Sequence, residues 1–351
     1  MCDYVGARAD AHTFVSRLTG GATDVVVRRK VVDTTYLECS VPATHRPSFT
    51  TDPDAQIIPV GALTFVAEVP AGFTVLGSGK TAMDACTWLL GNGVDPDQIR
   101  WVRPREPWMA DRSSVQPLDL LGGTLEGFAA SVEVLARAET VPDLFAEIES
   151  IGQLSRLDPT VEATMFRGAI VSRAELDGLR QIERVVRKGH VNHIGPDRMV
   201  LDGGEVPTTR RELHVDCTAR GLGDATARPV FEPGRIILQS LMGGFTTYNA
   251  ALIGHIEATR DDDVEKNRLC PPTAPSTRST DWIGFYRSVI NTSALHGAEP
   301  DLAEIQDTAR LSLTRGMSGR LTDPQVLGAV ERWLTNADDA LRNADRLLAS
   351  C

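Results

Sequence analysis

The run Phe73-Thr-Val-Leu-Gly77-Ser-Gly79-Lys-Thr-Ala82-Met-Asp84-Ala-Cys-Thr-Trp-Leu-Leu90 places an apolar strand, a glycine-punctuated turn and an amphipathic helix in immediate succession. Three readings compete for it. A triphosphate loop needs a glycine five residues before Gly79, where the chain has Thr74, so the loop is too short to wrap a triphosphate. Glycines that only make a tight strand-to-helix turn are a second reading, because lone glycine patterns are common. The third is a dinucleotide turn. Gly77 would let the chain leave the strand sharply, Gly79 would let backbone approach a pyrophosphate, and Ala82 would let the helix pack closely on the sheet. The flanking elements favour this third reading, since Gln98-Ile-Arg-Trp-Val-Arg103 follows as a second strand at βαβ distance.

The end of that second strand bears on the cofactor. An NAD site would place Asp or Glu there for the ribose hydroxyl, whereas this chain has Arg103-Pro-Arg105. A forked guanidinium suits the 2′-phosphate of NADP, although a solvated strand end also explains two arginines. The expected cofactor-binding set is therefore Gly77, Ser78, Gly79, Lys80, Thr81, Ala82, Arg103 and Arg105, with Arg112 as a weaker addition.

Composition limits the rest. A chain of 351 residues, 42% hydrophobic and 24% charged, can hold two domains or one large domain with insertions. A formal net charge of −11 argues against nucleic acid or an anionic membrane as partner. No apolar run reaches 18 residues and the N-terminus lacks signal-peptide character, so a cytoplasmic protein is expected. The six cysteines are scattered without C-x-x-C pairs or nearby histidines at zinc spacing, which points to free thiols and no metal site. No G-x-S-x-G elbow is present, the seven histidines have no partner motif, and Asp261-Asp-Asp263 reads as a solvated helix end. No catalytic acid, base or nucleophile is assigned.

Along the chain, residues 12 to 38 read as a β-hairpin or meander, and Pro42, Pro47 and Pro53 mark an irregular connector into Ile57-Ile-Pro-Val60. The pattern is helical from about Leu118 to Leu157 and again from about Glu175 to Lys188. His190 to His193 with Arg198 to Val206 suggest a hairpin. Strands are expected at Glu212 to Asp216 and Arg235 to Gln239, and helices from about Asn249 to Thr259 and from about Asp323 to Leu348.

The segment from Thr74 to Arg112, with its glycine turn and Arg100-Trp-Val-Arg-Pro-Arg-Glu-Pro-Trp108, resembles the NADP-binding domain of two-dinucleotide-domain flavoproteins, the flavin-containing monooxygenase-like and pyridine nucleotide-disulfide reductase-like enzymes. Val31-Val-Asp-Thr-Thr-Tyr36 is similar to the segment these proteins place before that domain, and Val215-Asp-Cys-Thr-Ala-Arg-Gly221 to the one where the chain returns. Ile236-Ile-Leu-Gln-Ser with Gly243-Gly244-Phe245 is similar to the closing FAD-domain strand and helix, where the small pair would approach an isoalloxazine ring. The likeness runs over roughly 12 to 260. It implies an α/β fold with a Rossmann-type NADP-binding domain over 71–220, carrying a helical insertion at about 114–188. A partial FAD-type domain would occupy 1–70 and 221–270, and a helical region 271–351.

The implied activity is NAD(P)H-dependent oxidoreduction, with hydride passing from nicotinamide to FAD. The glycine fingerprint for FAD that such proteins carry first is not found before residue 73. The chain thus resembles an N-terminally shortened relative, expected to oligomerise or to take the FAD half from a partner chain, with exposed strand edges limiting its solubility. The alternative is a non-catalytic remnant or regulatory nucleotide-binding module, and the substrate is not specified.

Overall fold

The computed structural model describes all residues except 9–10, 223–224 and 243–244. The alternating residues at the start pair locally: β1 (Cys2–Arg8), β2 (Ala11–Ser16) and β3 (Ala22–Val26) form an antiparallel meander in that order. Tyr4 packs on His12 and Phe14, with ring centroids 5.7 and 5.5 Å apart. All of β3 is exposed.

After β4 (Val31–Asp33), β5 (Thr50–Thr51) and β6 (Ile57–Pro59), the apolar run becomes β7 (Gly72–Leu76), and the glycine turn leads to α1 (Lys80–Gly91) and β8 (Ile99–Val102). Next come β9 (Pro107–Asp111), α2 (Leu121–Arg137), α3 (Val141–Ser150), β10 (Leu154–Ser155), β11 (Met165–Val171), α4 (Arg173–Leu179) and β12 (Val185–Val186). Three strands, β13 (Val191–Ile194), β14 (Arg198–Leu201) and β15 (Gly204–Pro207), form antiparallel pairs, and β16 (Glu212–Asp216) follows. The chain ends with β17 (Phe231–Glu232), β18 (Arg235–Ile237), α5 (Thr246–Thr259), α6 (Asp263–Leu269), α7 (Asp281–Gly297), α8 (Pro300–Thr308) and α9 (Pro324–Ala349).

The protein is mixed α/β. Its centre is a five-stranded sheet in the order β12-β8-β7-β16-β6, with every pairing parallel. All residues of β7 and β16 are buried, as expected for strands covered on both faces. Val75, Met83, Leu89, Ile99, Trp101 and Val215 share the core that joins sheet and α1.

Two expectations are corrected. The helix expected over Glu175 to Lys188 stops at Leu179. A capping box at Ser172 and Glu175 starts it, but the β-branched pair Val185-Val186 adds to the sheet edge opposite Trp101 and Val102. There it extends a continuous core, and β-branched side chains pack well on a pleated surface. The helical stretch expected to reach Leu157 ends earlier, because Gly152 takes a positive φ of 77° and β10 pairs with Met109 and Ala110.

The apolar faces of α2 and α3 meet those of α7 and α9 in one core that includes Val132, Leu144, Trp282, Tyr286, Ala340 and Leu347. The α2–α9 contact is polar at its rim: Arg332 grips Glu133 with Nε and Nη2 at 2.8 and 2.9 Å. Asn343 Nδ2 donates to the carbonyls of Leu135 and Ala138 at 2.7 and 2.8 Å, satisfying acceptors at the open end of α2. A further core joins β17 and β18 to α5, α6 and α8 through Phe231, Leu252, Ile256, Leu269 and Leu302. Among the described residues no helix is long and apolar enough to cross a membrane.

Candidate functional site

The chain leaves β7 through Gly77, whose φ is +116°. A Cβ there would lie 2.8 Å from the carbonyl oxygen of Cys217, so both conformation and space require glycine. Two bonds hold the turn. The Gly77 N–H donates to the Val102 carbonyl at 2.9 Å, and the Trp101 indole N–H donates to the Gly77 carbonyl at 2.7 Å. Gly79 is the N-cap of α1, with no side-chain cap bond, and a Cβ there would meet nothing within 4 Å. Ala82 is fully buried against the sheet. The N–H groups of Gly79, Lys80 and Thr81 find no acceptor among the described residues, leaving donors at the positive end of the α1 dipole.

These donors face a cleft of about 1380 Å³ at the carboxyl ends of β7, β8 and β16, marked by Leu76, Val102 and Cys217. Ligands of open parallel sheets bind at this edge. Gly77, Ser78, Gly79, Lys80, Thr81 and Arg105 line the cleft together. Ala82 lies behind them in the core. Arg103 does not line the cleft. It is 5% exposed, lies over the Trp101 ring at 5.0 Å, and has Nε 3.3 Å from Glu106 Oε1. Burial pushes its pKa below the usual guanidinium value, and Glu106 works against that shift. Arg187 completes the cluster, bonding Glu106 and Asp158 at 2.7 Å each. The pair Arg103 and Arg105 is thus divided: one is an internal strut, the other faces the cleft.

Lys80, Arg105, Arg112, Arg167 and Arg220 line the cleft, and no Asp or Glu does among the described residues. This contrasts with the net charge of −11 for the whole chain. Arg105 donates to the Thr277 carbonyl at 3.3 Å and has no carboxylate partner among the described residues. Arg167 donates to the Arg220 carbonyl at 2.9 Å. Lys80 pairs with Asp84 and lies 3.7 Å from Glu175, which also holds Arg112 at 3.1 Å. Burial pushes the Glu175 carboxyl up, but the Ser172 backbone N–H, Arg112 and the Ser172 hydroxyl outweigh it and hold the pKa at about 2. Glu175 is therefore a fixed anion behind the two cations.

The thiols near the turn are not poised as nucleophiles. Burial, with Asp216 beside it, pushes Cys217 up to about 12, and burial raises Cys86 well above the usual thiol value. Gly243-Gly244, expected beside an isoalloxazine ring, lie outside the described residues.

Sequence reading missed Arg167 on β11, the Thr273–Thr277 segment and the aromatic residues of α2 and α7 in the cleft lining. Only the Thr273–Thr277 segment carried a usable sign, the Pro271-Pro272 pair just before it marking a non-helical stretch.

No family model matches the sequence. Uncharacterized proteins of Mycobacterium bovis and of two strains of Mycobacterium tuberculosis are 38% identical to the chain over 301 residues, which is 84% of this chain and 55% of each relative. The chain spans about half the length of the curated relatives it matches.

Proposed function

We propose that the chain binds NADPH in a Rossmann-type manner and serves an NAD(P)H-dependent oxidoreduction. The observation that carries this reading is the juxtaposition of unsatisfied N–H groups at the α1 N-terminus with Arg105 in a cleft free of carboxylates among the described residues. Two kinds of donor then await phosphate: backbone N–H groups for a pyrophosphate and a fork for a terminal phosphate. The strand order adds support: apart from β6, which precedes them in sequence and pairs with β16 at the edge, β12, β8, β7 and β16 stand third, second, first and fourth, the order with which a dinucleotide-binding sheet begins.

The residues fit NADPH. Gly77 and Gly79 leave backbone open to the pyrophosphate, and Lys80 and Arg105 supply positive charge. Nicotinamide supplies hydride when bound, while the chain positions it and sets the local field. The region before β7 offers no second strand, glycine turn and helix among its described residues. No step is therefore assigned to FAD within this chain, and the flavin half of the resemblance is proposed to come from another polypeptide segment. The length of the mycobacterial relatives beyond the matched part leaves room for such a segment in them.

The test is calorimetric titration with NADPH and NADH. Wild type should favour NADPH, and Arg105→Glu should weaken NADPH by roughly ten- to a hundredfold, from the loss of about 1.5–3 kcal/mol in a charge-assisted hydrogen bond. NADH binding should change little. Absence of NADPH binding, or equal loss for both nucleotides, overturns the reading. Oxidation of NADPH on addition of FAD would favour an enzyme over a regulatory module.

A further inference from the structure

The cleft is larger than the roughly 300–1,000 Å³ of a usual small-molecule site, at about 1380 Å³, and its lining combines two chemistries, basic and aromatic. Besides the basic groups, α2 and α7 contribute Phe128, Trp282, Phe285 and Tyr286 to the lining and no charged side chain, and these rings are called its aromatic end. Phe166 adds a wall from β11. The rings brace one another: Tyr286 stands edge-on to Phe128 at 6.4 Å and to Phe285 at 5.4 Å, and Trp282 lies 4.3 Å from Tyr286. Phe128 and Phe285 line the cleft and keep partial exposure. Such an aromatic cage gains by taking up a flat apolar ring in offset or edge contact.

One polar group completes this end. Gln153 lines the cleft, and its carboxamide makes no hydrogen bond among the described residues. It lies against Gly127, next to Phe128, where an added Cβ would sit 2.8 Å from its amide atoms. A carboxamide offers one acceptor and two donors, which suits a single carbonyl, hydroxyl or amide on an otherwise apolar molecule.

The geometry points to a second ligand site in the same cleft: the aromatic end takes a neutral, aromatic small molecule bearing one polar group, beside the dinucleotide. This rests on the cofactor filling the basic end. A neutral ligand is favoured because the lining side chains of α2 and α7 carry no charge, while Arg105 and Arg167 are engaged by the Thr277 and Arg220 carbonyls.

The test uses N-phenyl-1-naphthylamine, a neutral aromatic fluorophore, with NADP⁺ as the cofactor form so that nicotinamide absorption does not interfere. The dye should bind wild type at one per chain and accept energy from tryptophan. Trp282→Phe, a change that conserves the core, should remove the share of that transfer that Trp282 donates, leaving that of Trp108, without loss of binding. Phe128→Ala should weaken the dye by at least about tenfold while its melting curve shows a folded protein. Saturating NADP⁺ should leave dye affinity within about twofold. No dye binding, transfer indifferent to Trp282→Phe, or one-for-one displacement by NADP⁺ overturns the second site. Displacement would mean the aromatic end holds part of the cofactor. If the dye binds with the expected transfer but NADP⁺ does not bind at all, the aromatic site stands and the cofactor reading alone falls.

Discussion

The parallel sheet and the N-terminal meander are both made from runs rich in valine, threonine and aromatic residues, yet they bury very different fractions of them. In β7 and β16 every side chain is buried. In the meander Tyr4, Val5, Leu18 and Val26 are each more than half exposed. Apolar alternation reports that a strand can form, but what covers its faces is decided by other parts of a chain. The crossover helix α1 covers the sheet. Among the described residues nothing of comparable size covers the meander, so its stability rests on local ladders and a few ring contacts.

Substitutions should therefore be felt sharply in one region and hardly in the other. The largest effect is expected at Gly77, where alanine must adopt a positive φ and place its Cβ against the Cys217 carbonyl. Gly77→Ala should cost roughly 2–5 kcal/mol in urea unfolding; an unchanged midpoint would show that the turn relaxes freely. Trp101→Phe removes the indole bond to the Gly77 carbonyl and leaves a buried acceptor unsatisfied. A loss of about 1–3 kcal/mol is expected, and a smaller one would move the turn's support from Trp101 to the backbone.

A third probe is acid. His214 on β16 is buried, and burial holds its pKa below the ordinary 6.5 despite the Gln56 carbonyl bond. The unfolded chain then takes up a proton that the folded chain refuses. This site has no cost above pH 6.5 and draws stability down as pH falls from there towards the folded pKa, with a slope of at most about 1.4 kcal/mol per pH unit. His214→Asn should flatten that part of the stability curve; an identical slope would assign the effect elsewhere. The smallest effect is expected in the meander, where Leu18→Ser and Val26→Ser should each change stability by within about 0.5 kcal/mol. A clear loss, especially one that depends on protein concentration, would mean that another surface covers these strands in solution.

Much of the fold was legible where local chemistry and tertiary demand agree. The glycine turn and the strand at Glu212 to Asp216 could be placed from sequence because Gly77 has one conformational reason to be glycine and β16 alternates Leu213 and Val215 with Glu212, His214 and Asp216 at the period of a strand. Elsewhere neighbours outvoted periodicity. Val185 and Val186 fit a helical stripe as well as a strand, and only the free edge of β8 decides between them. Likewise the stripes of α2 and α9 announced buried faces without naming each other. Arg103 and Arg105 looked equivalent as symbols at a strand end. On an extended chain Arg103 shares a face with Trp101 two residues before it, and that ring takes it inward. Pro104 then turns the chain, leaving Arg105 towards the cleft. The basic lining itself comes from segments far apart in sequence, so no local motif could display it.

The clasp between α2 and α9 sets an order of assembly. Glu133 and Arg332, which meet across it, are 199 residues apart, so α2 leaves the ribosome long before the helix that covers it has been made. The sheet from β6 to β16 closes on shorter separations, and domains fold as their segments emerge. During synthesis the glycine turn can thus reach its final shape while the apolar flank of α2 is still bare, a period in which a chaperone has a defined surface to hold.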